Sequence, residues 1–166
     1  MQAAQRPDVK LLSVAFALAV VGGLIGLVIA YAIVVYSGSP AFSSYVSSII
    51  SQREPGVANQ TALVSEVLSI MKGVGYYLLA ISAVGVVAGM LVEYTRRVAL
   101  SLNIGRASGL CTSLGVLLIV LGVMSLIDIV ELILFIAAGA LLLHERTALR
   151  RFEAIYMTGA PANVTA

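Results

Sequence analysis

The stretch LCTSLGVLLIVLGVMSLIDIVELILFIAAGALLL, residues 110–143, decides the fold of this chain. It contains 34 residues, and Asp128 and Glu131 are its only acidic or basic side chains. One continuous helix of that length would measure about 51 Å at 1.5 Å per residue. That length greatly exceeds the roughly 30 Å of hydrocarbon in a bilayer. We therefore predict a hairpin of two membrane-spanning helices, with its turn near Ser125 to Asp128.

The two acids within this stretch have two interpretations. Asp128 and Glu131 stand at positions i and i+3, the spacing of a helix capping box. In the first interpretation Asp128 is the N-cap of the last helix and accepts a hydrogen bond from the backbone N–H of Glu131, where the helix dipole favours negative charge. In the second, the two carboxylates form an ion or proton site, because ionisable groups at membrane depth tend to be functional. Lys72 is the basic residue expected nearest to them.

The composition places the whole chain, residues 1–166, in one integral membrane domain. Hydrophobic residues make up 60% of it and charged residues 11%, whereas soluble domains are about 25% charged. One cysteine, Cys111, allows no intramolecular disulfide, and one histidine, His144, excludes a haem held by two histidines of the chain. No nucleotide-binding or metal-binding motif is present. We expect no cofactor, no metal and no enzymatic activity.

The apolar segments predict an all-α fold, a transmembrane bundle of four helices. The charge-free run from Leu11 to Tyr36 is far longer than the 7–15 apolar residues, approximately, of a signal peptide, so we interpret it as an uncleaved anchor. An external loop at 37–73, a cytoplasmic loop at 95–106 and a cytoplasmic tail at 145–166 complete the layout. The predicted spans are residues 11–36, 74–94, 107–125 and 128–144.

Basic residues predict the orientation of the bundle. Four spans leave Arg53 and Lys72 on one side and eight basic residues on the other. Because positive charge accumulates on the cytoplasmic side, both termini are expected in the cytoplasm, with the cell membrane of a prokaryote as the expected location. The net charge of +2 does not indicate a nucleic-acid partner. The eight residues are Arg6, Lys10, Arg96, Arg97, Arg106, Arg146, Arg150 and Arg151; the last six form the basic cytoplasmic flank.

The external loop contains an amphipathic helical pattern of its own. Apolar residues recur at helical spacing, with serines on the other face. Because the polar face is uncharged, this helix either lies in the outer membrane interface or packs on another protein. A second apolar pattern continues into the second span, which predicts one long helix from about Thr61 to Arg97. The apolar residues of the first pattern are Phe42, Tyr45, Val46, Ile49 and Ile50.

Two GxxxG pairs predict close helix packing. Gly22 and Gly26 lie in the first span, and Gly85 and Gly89 lie in the second. Small residues let helix backbones approach closely in lipid, where no hydrophobic force drives helices together. The pairs serve packing within the chain or contact with another protein, and the sequence leaves both possibilities open.

Two functional hypotheses follow. The first is a structural or accessory subunit of a larger membrane assembly, because the chain has no catalytic constellation and has uncharged amphipathic surfaces. Its partners would be membrane lipids, other membrane subunits or copies of itself. The alternative is a small oligomeric ion or proton transporter or channel that uses Asp128 and Glu131.

Overall fold

The computed structural model describes residues 7–53 and 59–158, and every regular element in these ranges is a helix. The all-α fold class predicted from the sequence is therefore confirmed. Arg6 and the tail beyond Thr158 lie outside the described residues. The five helices are α1 (Lys10–Ser37), α2 (Pro40–Arg53), α3 (Gln60–Leu100), α4 (Ile104–Met124) and α5 (Ile129–Thr158).

Within the described ranges, three helices are long and apolar enough to cross a membrane: α1, α3 and α4. Helix α3 has 41 residues, a length of about 62 Å, which is roughly twice the hydrocarbon thickness. It begins and ends close to the Thr61 and Arg97 expected from the sequence. Any membrane that contains its apolar C-terminal part leaves its first turns outside.

The long apolar run turns back between α4 and α5. Helix α4 ends at Met124 and α5 begins at Ile129. The backbone N–H of Asp128 donates to the carbonyl of Ser125 (2.8 Å), which closes the turn. The hydroxyl of Tyr77, on α3, donates to the carbonyl of Met124 (3.2 Å). This bond ties the turn to the neighbouring helix.

The connection from α3 to α4 is shorter than the loop predicted at 95–106. Only residues 101–103 connect the helices, because α3 continues to Leu100 and α4 begins at Ile104. The backbone N–H of Asn103 donates to the carbonyl of Val98 (3.3 Å), and that of Leu102 donates to Ala99 (3.0 Å). Leu102 has a φ of 63°. This pattern is a Schellman motif, which normally has glycine at the left-handed position.

Glycines determine how closely the helices approach. A Cβ added at Gly23 would lie 2.7 Å from Cγ2 of Val86 and 2.9 Å from its backbone nitrogen. A Cβ added at Gly89 would lie 2.7 Å from Cγ2 of Val20. Helices α1 and α3 therefore pack almost backbone to backbone. The GxxxG residues Gly22 and Gly85 both face Phe135 on α5, so these glycines contact neighbours within the chain.

Helix α2 packs on α3 by part of its apolar face. The Ser39 hydroxyl accepts a hydrogen bond from the backbone N–H of Phe42 (3.2 Å) and caps the helix. Val46 is buried, Phe42, Ile49 and Ile50 are half-buried, and Tyr45 is 58% exposed. Tyr45 therefore makes little contact within the described chain, and the predicted contact of this face with lipid or another protein stays a prediction.

Candidate functional site

Helix α5 has a buried stripe that contains three acids. Apart from Gly139, the buried residues from the N-cap Asp128 onward recur at alternating spacings of three and four, the heptad pattern of a helix that packs along its whole length. Glu131 and Glu145 occupy stripe positions and therefore lie in the bundle core instead of on the surface. The stripe is Asp128, Glu131, Phe135, Ala138, Leu142, Glu145 and Leu149.

Asp128 caps the N-terminus of α5. Its Oδ1 accepts hydrogen bonds from the backbone N–H groups of Val130 (3.1 Å) and Glu131 (3.2 Å). The second bond is the one that the spacing of the two acids predicts. The residue is only 7% exposed, and its Oδ2 has no hydrogen-bond partner in the described part of the chain.

Glu131 does not complete a capping box. In that motif its carboxyl group would accept from the backbone N–H of Asp128, but this N–H donates to the Ser125 carbonyl instead. The Glu131 side chain is directed into the bundle and is 0% exposed. Neither of its carboxyl oxygens has a hydrogen-bond partner among the residues that the structure describes.

Three helices meet at the Glu131 carboxyl group. A Cβ added at Gly26 of α1 would lie 2.6 Å from both Cδ and Oε1 of Glu131, and it would also overlap Oγ of Ser82 on α3. Ser125, at the end of α4, also lies beside the Glu131 carboxyl. Gly26 thus leaves the space that the carboxyl occupies.

The hydroxyls of Ser82 and Ser125 lie beside the Glu131 carboxyl, and each also has a backbone carbonyl within reach. The hydroxyl of Ser82 donates to the carbonyl of Leu78 (2.8 Å), and that of Ser125 donates to Leu121 (2.9 Å). Each hydroxyl has a single hydrogen, so it can donate to the Glu131 carboxyl only by giving up its bond to the carbonyl. While both carbonyl bonds are kept, the carboxyl lies among acceptor oxygens. A fully buried cluster of acceptor oxygens is stabilised by a cation among them: a proton on the carboxyl group, or a small metal ion.

A second buried acid lies near the opposite end of the stripe. Glu145 is 2% exposed, and its Oε1 has no hydrogen-bond partner in ranges 7–53 and 59–158. The titratable groups that interact with it are Asp8, His144 and Cys111. Sequence reasoning missed Glu145. The signal that could have found it is its heptad register with Glu131, 14 residues earlier.

Lys72 does not pair with either acid. It is exposed and takes part in no ion pair within the described residues. Its Cε lies 3.8 Å from the position of a Cβ added at Gly38, directly after the C-terminal end of α1. Lys72 precedes Ser82 by ten residues, about 15 Å along the helix, so the acid site has no basic partner there.

The predicted basic flank gathers at the end of the bundle opposite the turn between α4 and α5. Glu93 accepts hydrogen bonds from Arg96 (2.8 Å) and Arg97 (3.3 Å). Arg150 donates to the Ser108 hydroxyl (3.3 Å) and so connects α5 to α4. These contacts order the flank, whose members are Arg96, Arg97, Arg106, Arg146, Arg150 and Arg151.

No protein-family model matches this chain, and neither a curated protein nor a solved structure matches it.

Proposed function

We propose that this chain is a small four-span membrane transport protein in which Glu131 binds and releases a proton. The observation that carries the proposal is the Glu131 carboxyl itself: fully buried, without a hydrogen-bond partner among the described residues, and beside two hydroxyls that are hydrogen-bonded to backbone carbonyls instead. Buried polar groups in proteins are normally hydrogen-bonded. A carboxyl that departs from this rule at membrane depth has a functional explanation by default.

The proposed topology adds α5 to the three apolar helices as a fourth span. Residues 130–143 are apolar apart from Glu131, and α5 runs back along α4, where Gly115 and Gly139 approach closely. A helix packed along α4 shares its depth in the membrane. Four spans place the basic flank in the cytoplasm and Arg53 and Lys72 outside, as the positive-inside rule requires.

Exposed tyrosines support the assigned depth of Glu131. Tyr31, Tyr76 and Tyr77 are exposed and lie near the level of the turn between α4 and α5, to which Tyr77 is hydrogen-bonded. Tyrosine is enriched where membrane meets water. Glu131 therefore lies about one helical turn inside the outer interface, close enough to exchange a proton with the outside.

Binding a proton requires less rearrangement of the Glu131 pocket than binding any other occupant. An ionised carboxylate without a partner costs several kcal/mol, approximately, in a low-dielectric interior. A protonated carboxyl becomes a donor, and Ser82 or Ser125 can then accept from it. A sodium ion among the same oxygens is the competing occupant.

The isosteric variant Glu131→Gln tests the proposal. Glutamine fits the same space but cannot exchange a proton, so we expect proton uptake into proteoliposomes under an imposed potential to be lost. Glu66→Gln is the matched control, because Glu66 is exposed on the outer part of α3, and it should transport like the unaltered protein. Unchanged uptake in Glu131→Gln would rule out the proposal. Uptake that requires sodium would replace the proton with that ion.

An accessory subunit is a second candidate, favoured by the surface outside the proposed membrane. Beyond the level of Tyr31 and Tyr76, the bundle exposes apolar and aromatic side chains, an arrangement typical of protein contact sites. Native mass spectrometry after gentle detergent extraction tests this role, and a lone monomer would contradict it. The exposed residues are Val35, Tyr36, Tyr45 and Ile70.

A further inference from the structure

We infer that Glu145 is a second proton-binding group, reached from the cytoplasmic side, and that Phe135 forms a dry barrier between it and Glu131. This inference rests on the proposed function of Glu131. It adds a second site and identifies the residue that limits the rate at which protons pass between the two.

The two carboxyl groups lie on one face of α5 at different depths. They are 14 residues apart, about 21 Å along the helix, and close to four whole turns. The three stripe residues between them, Phe135, Ala138 and Leu142, are fully buried and apolar. A line from one carboxyl to the other along the bundle core therefore passes only hydrocarbon on α5.

Phe135, Ala138 and Leu142 define an apolar layer between the two acids. Helices α1, α3 and α4 are also apolar at the depth of this layer. The buried polar side chains of the described residues lie beside one acid or the other, or farther toward the bundle ends: Ser82 and Ser125 are near Glu131, and Thr95 is near the level of Glu145. Protons move along hydrogen-bonded groups or water, and this layer offers no such group. The buried residues that fill it include Ala15, Ala19, Ala88, Leu114 and Leu118.

Phe135 is the residue of the apolar layer that lies next to Glu131, one helical turn farther along α5. Its ring occupies the notch left by two glycines: a Cβ added at Gly22 would lie 3.3 Å from Cε1 of the ring, and one added at Gly85 would overlap the ring itself. The ring is therefore held between α1 and α3. It lies four residues below Glu131 on α5, about 6 Å along the helix axis.

The charged surroundings differ at the two acids. Glu131 has Asp128, the N-cap of its own helix, as its titratable neighbour. Gly26 of α1, Ser82 of α3 and Ser125 at the C-cap of α4 also lie around it. Glu145 interacts with Asp8 beside the start of α1, with Cys111 on α4 and with His144 on its own helix. Glu145 lies at the end of the bundle that carries the basic flank, so its protons come from that side.

The test is the passive proton leak of Phe135→Ser in proteoliposomes with the potential clamped and a pH-sensitive dye trapped inside. A hydroxyl and the space left by the ring admit water, so we expect the leak to rise by about tenfold or more over the unaltered protein. Phe135→Leu keeps the layer apolar and should not leak. Val120→Ser adds the same hydroxyl at a similar depth on the exposed face of α4 and should not leak either.

A correctly folded Phe135→Ser protein that leaks no more than the unaltered protein would overturn the barrier. If Phe135→Ser does not fold, Ala138→Ser places a hydroxyl in the same buried layer with little change in volume. A leak through that variant supports the barrier, and its absence in the folded variant counts against it.

Double variants separate this inference from the proposed function. Adding Glu145→Gln to Phe135→Ser should reduce the leak, and an undiminished leak would remove Glu145 from the path. Adding Glu131→Gln should reduce it as well. A leak that is insensitive to Glu131→Gln would contradict the proposed function while leaving the barrier in place.

Discussion

Leu102 has a backbone conformation that residues other than glycine rarely adopt. Its φ of 63° lies in the left-handed region, where an L-residue costs roughly 1–2 kcal/mol, and it occupies the glycine position of a Schellman motif. Its side chain is largely exposed, so its removal sacrifices little packing.

We predict that Leu102→Gly stabilises the protein by about 1 kcal/mol. Relief of the left-handed strain outweighs the added freedom of the unfolded chain. The measurement is the thermal midpoint in detergent. Leu100→Gly is the control: Leu100 is also exposed but helical, and the variant should lose stability. A lower midpoint for Leu102→Gly would contradict the strain argument.

For single residues, the sequence predicts the helix cap at Asp128 better than it predicts the pocket around Glu131. Asp128 could be assigned as a cap because capping depends on local spacing, and its bond to the Glu131 N–H is present. The pocket around Glu131 could not be predicted. It requires Gly26 and Ser82, which are distant from Glu131 in sequence, and Ser125 at the end of α4.

The contact between α1 and α3 depends on residues that lack a side chain. At Gly23 an added Cβ would meet the backbone nitrogen of Val86 at 2.9 Å and the carbonyl oxygen of Ser82 at 3.0 Å. Backbone atoms cannot rotate aside as a side chain can, so the helices would have to separate.

We predict that Gly23→Ala destabilises the bundle by about 1–3 kcal/mol, the usual cost of overpacking a core. Gly109→Ala is the matched control, because a Cβ added there meets no atom within 4 Å and alanine favours a helix by about 1 kcal/mol over glycine. Urea or thermal unfolding in detergent measures both. Equal stability of the two variants would show that α1 and α3 do not pack this closely.

Helix existence was easier to predict than the faces that helices bury. The hydrophobic runs indicate α1, α3 and the doubled-back α4 and α5, because membrane length restricts what such runs can form. Only part of the predicted apolar face of α2 packs against α3. A spacing pattern marks a broad apolar face, whereas α2 has one main neighbour and leaves Tyr45 exposed.

At the scale of the whole molecule, the proposed orientation can be tested with single cysteines. Cys111 is fully buried and should give no background. Gln52, on α2, and Thr147, on the flank of α5, are exposed. We expect Gln52→Cys to react with a membrane-impermeant maleimide on intact cells, and Thr147→Cys to react only after the cells are opened. The reverse pattern would place the termini outside.

The membrane class follows from composition, because so few polar residues cannot cover a soluble fold. The position of the buried acids does not follow from it. Glu131 and Glu145 become members of one stripe only when α5 is known to pack along its whole length, and this depends on three other helices. The sequence alone therefore favoured the accessory-subunit hypothesis, with the transporter as its alternative.

The tight turn between α4 and α5 has a consequence for biosynthesis. In the proposed topology, inserting this pair moves only the short link around residues 125–128 across the bilayer, with Asp128 as its one acid. The pair can thus enter lipid together as a preformed unit. Residues 38–73 contain Arg53, Glu54, Glu66 and Lys72, so their export needs a translocation channel. We therefore expect membrane insertion of α1 to α3 to depend on the translocation channel more than insertion of α4 and α5 does.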